Sequence, residues 1–402
     1  MSNTQKKNVP ELRFPGFEGE YSLDIFGNLA TNKSDKFNPQ NENASIDIEL
    51  DCIEQNTGRL IKIYNSKEFS SQKNKFNPQN VLYGKLRPYL NKYYFTKKSG
   101  VCSSEIWVLK STKEDKLLNL FLYYFIQTKR YSDVASKSAG SKMPRADWGL
   151  IENIRVYFPE LCEQQKIGEF FSKLDRQIEL EEQKLELLQQ QKKCYMQKIF
   201  SQELRFKDDN GNDYPEWEEK KLGELSQIVR GASPRPIKDP KWFNKESDIG
   251  WLRISDVTDQ NGKIYHLEQK LSIEGQEKTR VLLTTHLLLS IAASIGKPVM
   301  NFVKTGVHDG FLIFLNPKFN IFFMYYWLDY FKEKWSKYGQ PGSQVNLNSE
   351  IVKSQTLNMP SNHEQEKVGL FFSRNEKLIE LQQEKIMYLK RHKQALILKM
   401  FI

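Results

Sequence analysis

A 42-residue segment that occurs twice sets the limits on what this chain can fold into. Pro159–Phe200 superimposes on Pro360–Phe401 at a constant offset of 201 with no gap, and 16 of the 42 positions are identical. The identities include Glu163/Glu364, Gln164/Gln365, Lys166/Lys367 and Gly168/Gly369, the Phe-Phe-Ser triplets at 170–172 and 371–373, and the Ile-Glu-Leu triplets at 178–180 and 379–381. A match of that length within one chain is a duplication. It has to be recognised before any element is assigned, because each copy is one structural part.

Within each copy apolar residues recur by steps of four and three. The first copy gives Ile167, Phe171, Leu174, Ile178, Leu185, Leu188, Tyr195 and Ile199; the second gives Val368, Phe372, Ile379, Ile386, Leu389, Leu396 and Met400. That 3.5-residue spacing is the seam of a left-handed coiled coil. A helix from Gln164 to Phe200 would be roughly 55 Å long at 1.5 Å per residue. Polar residues interrupt the seam at matched places, Glu181 and Lys192, then Gln382 and Lys393. Such residues cost stability and fix register. Ser361-x-x-Glu364 carries a capping-box signature. The two helices are expected to pair antiparallel through Ile167, Phe171, Leu174, Ile178, Leu185 and Leu188 against Val368, Phe372, Ile379, Ile386 and Leu389. Any stripe left uncovered would dock another subunit.

The repeat extends beyond the helix. Glu11-Leu12-Arg13-Phe14 returns as Glu203-Leu204-Arg205-Phe206, and Glu20-Tyr21…Gly27-Asn28-Leu29 resembles Glu216-Trp217…Gly223-Glu224-Leu225. Between these lead-ins and the helices lie two stretches of similar element order and little identity, each reading as α+β. In the first, strands are expected at Ile46–Ile53 and Leu60–Tyr64 around an Asn56-Thr57-Gly58 turn, then at 80–88 and 104–109, with a buried helix at 117–128. In the second, strands are expected at 250–254, 287–290 and 310–315, with an aromatic helix at 322–335. The expected domains are 1–158, a helix at 159–200, a linker at 201–215 dense in turn formers, a second domain at 216–359 and a helix at 360–402.

A chain of 402 residues has room for two or three cored domains. No apolar window approaches the length of a membrane span, and the first residues hold no apolar run of leader length, so a cytoplasmic protein with no membrane partner is expected. The four cysteines form no Cys-x-x-Cys pair and have no close histidine, so neither a zinc site nor a disulfide framework is suggested. There is no P-loop and no Gly-x-Gly-x-x-Gly. Glu218-Glu219-Lys220 lacks a partner carboxylate at nuclease spacing, and His308-Asp309 is the one histidine pair to inspect. The expectation is a chain with no catalytic residues, no metal site and no cofactor of its own.

What remains is binding. The net charge is +10, and Arg59 to Lys98 holds ten Lys or Arg against one acid, Glu68. Cations and aromatics interleave over Lys85, Arg87, Tyr89 and Lys92, a pattern suited to phosphates and base edges. Arg59 and the loop with Ser141, Lys142 and Arg145 complete the candidate DNA contacts of the first stretch. The second offers a basic loop with Arg230, Ser233, Arg235 and Lys238, then Ser294 and Lys297, then Ser343, Gln344 and Asn346.

On the duplicated Glu-Gln-x-Lys-Ile/Val-Gly…Phe-Phe-Ser helix, Gly231-Ala232-Ser233-Pro234-Arg235-Pro236, Asp248–Asp256 and Val81–Pro88, the chain resembles the specificity subunit of a bacterial type I restriction–modification system. The resemblance runs nearly end to end. It implies two tandem α/β target-recognition domains separated by two long helices that pair as an antiparallel coiled coil, an internal pseudo-two-fold repeat. It further implies that each domain reads one half of an asymmetric, bipartite site on double-stranded DNA. The helices would set the gap and dock two methyltransferase (modification) subunits, and restriction/translocase subunits would join them. Those partners would use S-adenosylmethionine, ATP and Mg. A stand-alone DNA-binding regulator and a coiled-coil scaffold are the alternatives.

Overall fold

A computed structural model describes residues 8–38, 42–43, 45–68, 71–137, 143–292, 295–338 and 347–402. Its longest elements are two helices, Leu161–Phe200 and Asn362–Met400. The chain divides into two compact units, one of Met1–Gln183 with Gln383–Ile402, the other of Lys184–Gln382. Each unit therefore contains the first half of one long helix and the last half of the other.

In the first unit, Ser22–Ile25 pairs antiparallel with Arg155–Phe158, the strand that delivers the chain to Pro159. A four-stranded sheet has the order Ala30–Thr31, Ile106–Ser111, Val81–Gly84, Tyr93–Phe95. A five-stranded sheet has the order Lys36–Phe37, Lys73–Phe76, Gly100–Cys102, Ile46–Ile48, Tyr64–Asn65. The core forms where the four-stranded sheet and the helix Asn119–Phe125 meet the long helices: Phe121, Tyr124, Ile167, Phe171, Leu174 and Ile178 share one cluster with Leu389, Ile397, Met400 and Phe401. Phe401 lies 4.9 Å from Phe121 and 6.3 Å from Phe171, ring centre to ring centre.

The second unit repeats the plan. Glu218–Lys221 pairs with Thr356–Met359. The main sheet runs Gln227–Arg230, Phe311–Leu315, Leu287–Ser290, Pro298–Asn301, Lys263–Ile264, and a three-stranded sheet runs Gly250–Leu252, Thr305–Val307, Arg280–Leu282. The apolar helix Ile321–Phe331 packs on Val368 and Phe372, with Met196 and Ile199 from the end of the first long helix. Phe200 stacks on Phe372 at 5.8 Å.

The helices pair antiparallel inside each unit. In the first, Asp175 meets Lys393 and Glu181 meets Lys385, so one number falls as the other rises, and Glu182 adds a contact to Lys390. In the second, Lys192 meets Glu376. Ile167, Phe171, Val368 and Phe372 are fully buried; Leu174, Ile178, Ile386 and Leu389 are buried, and Leu185, Leu188 and Ile379 are half-buried. The polar seam residues Gln382 and Lys393 are buried as well.

The duplicated identities explain themselves as latches. Buried Glu163 takes a forked pair of hydrogen bonds from Arg13 at 2.8 and 2.7 Å, and Glu364 takes the same from Arg205 at 3.2 and 2.8 Å. Tyr21 donates to Glu163, and Trp217 donates to Glu364. Gln164 accepts from the Leu118 amide and donates to the Pro159 carbonyl, while Gln365 accepts from Asn320 and donates to Pro360. The Leu-Arg-Phe lead-ins also meet helix ends: the Leu12 amide donates to the Lys399 carbonyl, and the Leu204 amide to that of Lys198.

Several expected elements differ. The strand expected over Ile46–Ile53 ends at Ile48, because Leu50–Cys52 turns into a 3-10 helix in which Glu49 and Cys52 satisfy each other's backbone. The strand expected at Leu60–Tyr64 is Tyr64–Asn65, with Leu60 held only in a bridge to Ile53. The strand at 250–254 stops at Leu252, since Ile254 opens a helix whose start is held by Arg253 and Asp256. At Ser361 the hydroxyl does accept from the Glu364 amide, but the Glu364 carboxylate points to Arg205 and Trp217 instead of closing a capping box. Among the described residues no helix is long and apolar enough to cross a membrane.

Candidate nucleic-acid interface

The first unit builds its candidate site at the end of the hairpin Val81–Gly84/Tyr93–Phe95. Between these strands the chain makes a 3-10 turn, Pro88–Leu90, flanked by Arg87 and Asn91 in left-handed conformation, φ 52° and 45°. A non-glycine residue there carries strain, which persists only where surroundings fix it. At Arg87 the amide donates to the Pro144 carbonyl at 2.8 Å, and the Ala146 amide donates to Lys85. The side chains of Arg87 and Tyr89 are left exposed. Arg145 bridges to Leu86 through backbone and forks onto Glu105 at 3.0 and 3.2 Å. Lys85, Arg87, Tyr89 and Arg145 therefore belong to one ribbon.

Four other cations of the basic stretch are answered by acids outside it. Arg59 pairs with Glu54 and, at 2.6 Å, with Glu182 of the long helix. Lys62 pairs with Asp51, and Lys75 with Glu42. Lys73 is buried with Asp47 and Glu49. Lys92 donates to the Leu50 carbonyl at 2.5 Å. Charge counted along the chain thus overstates charge gathered in space.

In the second unit one carboxylate organises the basic loop. Asp309 accepts from the Ser233 hydroxyl at 2.7 Å and from Arg235 at 2.9 Å, and its backbone carbonyl accepts from Arg230 at 2.6 Å. Arg280 in turn donates to the Arg230 carbonyl. Burial opposes ionisation of Asp309, but the Ser233 hydroxyl, His308, Arg235 and Arg230 outweigh it and hold the carboxyl below its ordinary value. His308 packs on buried Trp251, and burial lowers its pKa despite the neighbouring Asp309. Its Nδ1 accepts from the Gly310 amide, a structural role. Lys238 is exposed in the same loop.

Lys297 does not join this group. Its ammonium reaches inward to Val257 and Asn261, and burial, then Lys332, push its pKa down. Ser141, Lys142, Ser294, Ser343, Gln344 and Asn346 lie outside the described residues. The sequence reading does not single out Glu105, and names Asp309 only as the neighbour of His308. The only local signal is position, since each closes the loop before a central strand, Ile106–Ser111 or Phe311–Leu315. Among the described residues no group of three or more His, Cys, Asp and Glu could hold a metal ion.

Comparison with known proteins bears on this geometry. The family model described as type I restriction modification DNA specificity domain matches twice, over residues 20–190 and 214–391. The type I restriction enzyme MjaVIII specificity subunit of Methanocaldococcus jannaschii is 26% identical over 310 residues, covering 72% of this chain and 71% of that protein. A solved structure concerned with complex assembly and conformational transition of the type I R-M system aligns over 94% of this chain and 96% of its own, with TM-score 0.60 and 17% identity. The type I restriction–modification system S subunit from M. genitalium aligns over 98% and 99%, with TM-score 0.57 and 14% identity. At these identities the solved structures speak to fold alone.

Proposed function

The chain belongs to the type I restriction–modification DNA specificity family, and from that premise we propose how its parts divide the work. Each unit reads one half of an asymmetric, bipartite sequence in double-stranded DNA. The first uses the Lys85–Leu90 ribbon with Arg145, and the second uses the Arg230–Lys238 loop. The observation that carries this reading is the contrast between the repeated and the variable parts. The latches at Glu163 and Glu364 are the same in both units, whereas the basic loops differ in sequence and in how they are held. Identical supports with unlike readers suit two unlike half-sites.

The two long helices, each continuous from one unit into the other, act as the spacer that fixes the gap between half-sites. They also offer matched docking points for two methyltransferase subunits. Leu180 and Leu381, one repeat apart, are both exposed, as are Leu187 and Tyr388. The methyltransferase subunits would supply S-adenosylmethionine chemistry, and restriction subunits ATP and Mg, with the assembly working in the cytoplasm.

The test replaces Lys85 and Arg87 by Ala in the complex with its methyltransferase and maps modified adenines across a genome by long-read sequencing. Ala tolerates the left-handed backbone at 87 no better than Arg, so the change isolates the side chains. One half-site should relax while the other reads as before. If the modified sequence and its extent are unchanged, these residues are not the readers.

A further inference from the structure

The main sheets of the two units match strand for strand except at one edge. In the second unit Lys263–Ile264 forms a fifth strand beside and parallel to Pro298–Asn301. The Met300 amide donates to the Gly262 carbonyl at 2.8 Å, and the Phe302 amide to that of Ile264 at 2.9 Å. Lys263 reaches Glu376, and Tyr325 donates to the Asn261 carbonyl. The sheet of the first unit stops at Tyr93–Phe95. Register carried across the sheets from the repeated Leu29 and Leu225 makes Phe95 and Lys97 the mates of Met300 and Phe302. The bonds Gly84 to Lys92 and Thr96 to Asn80 set the alternation, so the Phe95 and Lys97 amides face away from Val81–Gly84, and they donate to no described residue. Tyr123, the mate of Tyr325, is 5% exposed, and its hydroxyl also has no hydrogen bond to a described residue.

The first unit does contain a related segment, Gln55-Asn56-Thr57-Gly58-Arg59-Leu60 against Gln260-Asn261-Gly262-Lys263-Ile264. It is committed elsewhere. The Glu54 amide donates to the Arg59 carbonyl, the Ile61 amide to that of Cys52, and Arg59 pairs with Glu182. Between this turned-back segment and the open edge lies a cavity of about 800 Å3, walled by Tyr93–Phe95, Tyr123, Asp175 and Glu179. A strand edge with unmade backbone bonds is a template for a strand from another chain. Arg59, Lys97, Arg176, Lys390 and Lys393 line the cavity against two acids, which disfavours a basic guest. Glu179 on its wall is followed by exposed Leu180, already read as a docking point. Resting on that reading of the long helices, we propose that a methyltransferase subunit adds an extended segment without basic side chains, parallel to the open edge at Phe95–Lys97. Its side chains fill the cavity. The second unit supplies this strand itself, so the two methyltransferase subunits dock unequally. Tyr93–Phe95 is also one arm of the hairpin that presents Arg87 and Tyr89, so docking braces that reader.

The experiment follows amide hydrogen exchange in the full chain, free and bound to its methyltransferase. Peptides spanning 93–98 should slow about tenfold on binding, while 298–303, paired in the free chain, should change little. Lys97→Pro removes an edge amide at an exposed position, and Tyr123→Phe removes the hydroxyl and keeps the ring. Each should weaken one of the two methyltransferase binding steps about fivefold and leave the other unchanged. Lys97→Ala keeps the amide and should cost less than about twofold. The proposal is overturned if 93–98 gains no protection, if target DNA alone or self-association of the free chain protects it, or if Lys97→Pro and Tyr123→Phe bind as the parent does. Leu180→Glu keeps the two levels apart. If it leaves methyltransferase binding intact, the long helices are not the docking face. If it weakens binding while 93–98 stays unprotected in the parent complex, only the added strand fails.

Discussion

The polar interruptions of the helix seam can be tested as free energies, because the two copies answer them differently. Lys393 lies 2.7 Å from Asp175 and donates to Gln127 at 3.0 Å; its repeat mate Lys192 lies 3.2 Å from Glu376. Tyr124 donates to Asp175, and Tyr326 donates to Glu376. The second unit adds a cation, Lys263, 2.5 Å from Glu376. Replacing Lys393 by Met keeps the aliphatic stem and removes the ammonium. Stranding a buried charge costs about 3–5 kcal/mol. The Asp175 side chain is 24% exposed, so water recovers part of that and the cost should be about 2 kcal/mol. Lys192→Met and Lys263→Met should each cost about 1 kcal/mol, because the other ammonium remains on Glu376. The double variant leaves Glu376, 10% exposed, with neither ammonium. It should cost about 4 kcal/mol, a coupling of about 2 kcal/mol beyond the sum. Five of the seven tryptophans lie in the second unit, so fluorescence-detected urea unfolding follows that unit. Hydrogen exchange on first-unit peptides reports Lys393→Met. Additive costs for Lys192 and Lys263, or no cost for Lys393→Met, would refute the reasoning and reduce these contacts to screened surface pairs.

Gly168 and Gly369 are repeat mates under different crowding. A Cβ on Gly168 would stand 2.6 Å from Leu120 Cγ, whereas on Gly369 the nearest atoms are at 3.1 Å. Gly168→Ala should lose about 1 kcal/mol after a helix-propensity gain of similar size is subtracted from the overpacking, and Gly369→Ala should stay within about 0.5 kcal/mol of the parent in urea melts. Burial, with repulsion from Glu376, pushes the Asp329 carboxyl above its ordinary value against the pull of Lys192, Lys332 and Lys297. The folded state then holds that proton more tightly than the unfolded one, so the stability it contributes at low pH is lost as pH rises through the raised value. Asp329→Asn should therefore be the more stable protein at neutral pH, with the difference fading as pH falls from the raised value toward about 4; a stability gain independent of pH would contradict this.

What could be read from the sequence was whatever repeats or runs locally. The seam residues carry their period in the chain, and Leu287–Ser290 is a strand with the bounds its apolar run suggests, because four consecutive buried residues on a central strand leave no other pattern. The strand lengths near Cys52 are not legible in the sequence, because nothing in Leu50-Asp51-Cys52 announces a 3-10 turn. The site was less legible for a specific physical reason. A count of basic residues along the chain misses that Arg59 is paired with Glu182, 123 residues on, and Arg235 with Asp309, 74 residues on. Electrostatics is decided by distance in space, and a window sees distance along the chain.

The repeat also conserves something other than what periodicity first suggests. Of its strongest identities, Glu163/Glu364 and Gln164/Gln365 hold the start of each helix to its own unit. The far end of each helix is received by the other unit: Lys399 by Leu12 and Glu11, Lys198 by Leu204 and Glu203. Glu11 and Leu12 open the first copy and meet the helix end of the second, whereas Glu203 and Leu204 open the second copy and meet the helix end of the first, so the lead-in and the helix end it meets come from different copies of the repeat. No unit is closed by a single copy. The first needs Leu389–Phe401 to cover Phe121 and Phe171, and the second needs Met196–Phe200 to cover Phe372. A substitution at a helix end therefore acts on the neighbouring repeat's core. That is why Lys393, numbered in the second copy, is expected to weaken the first unit.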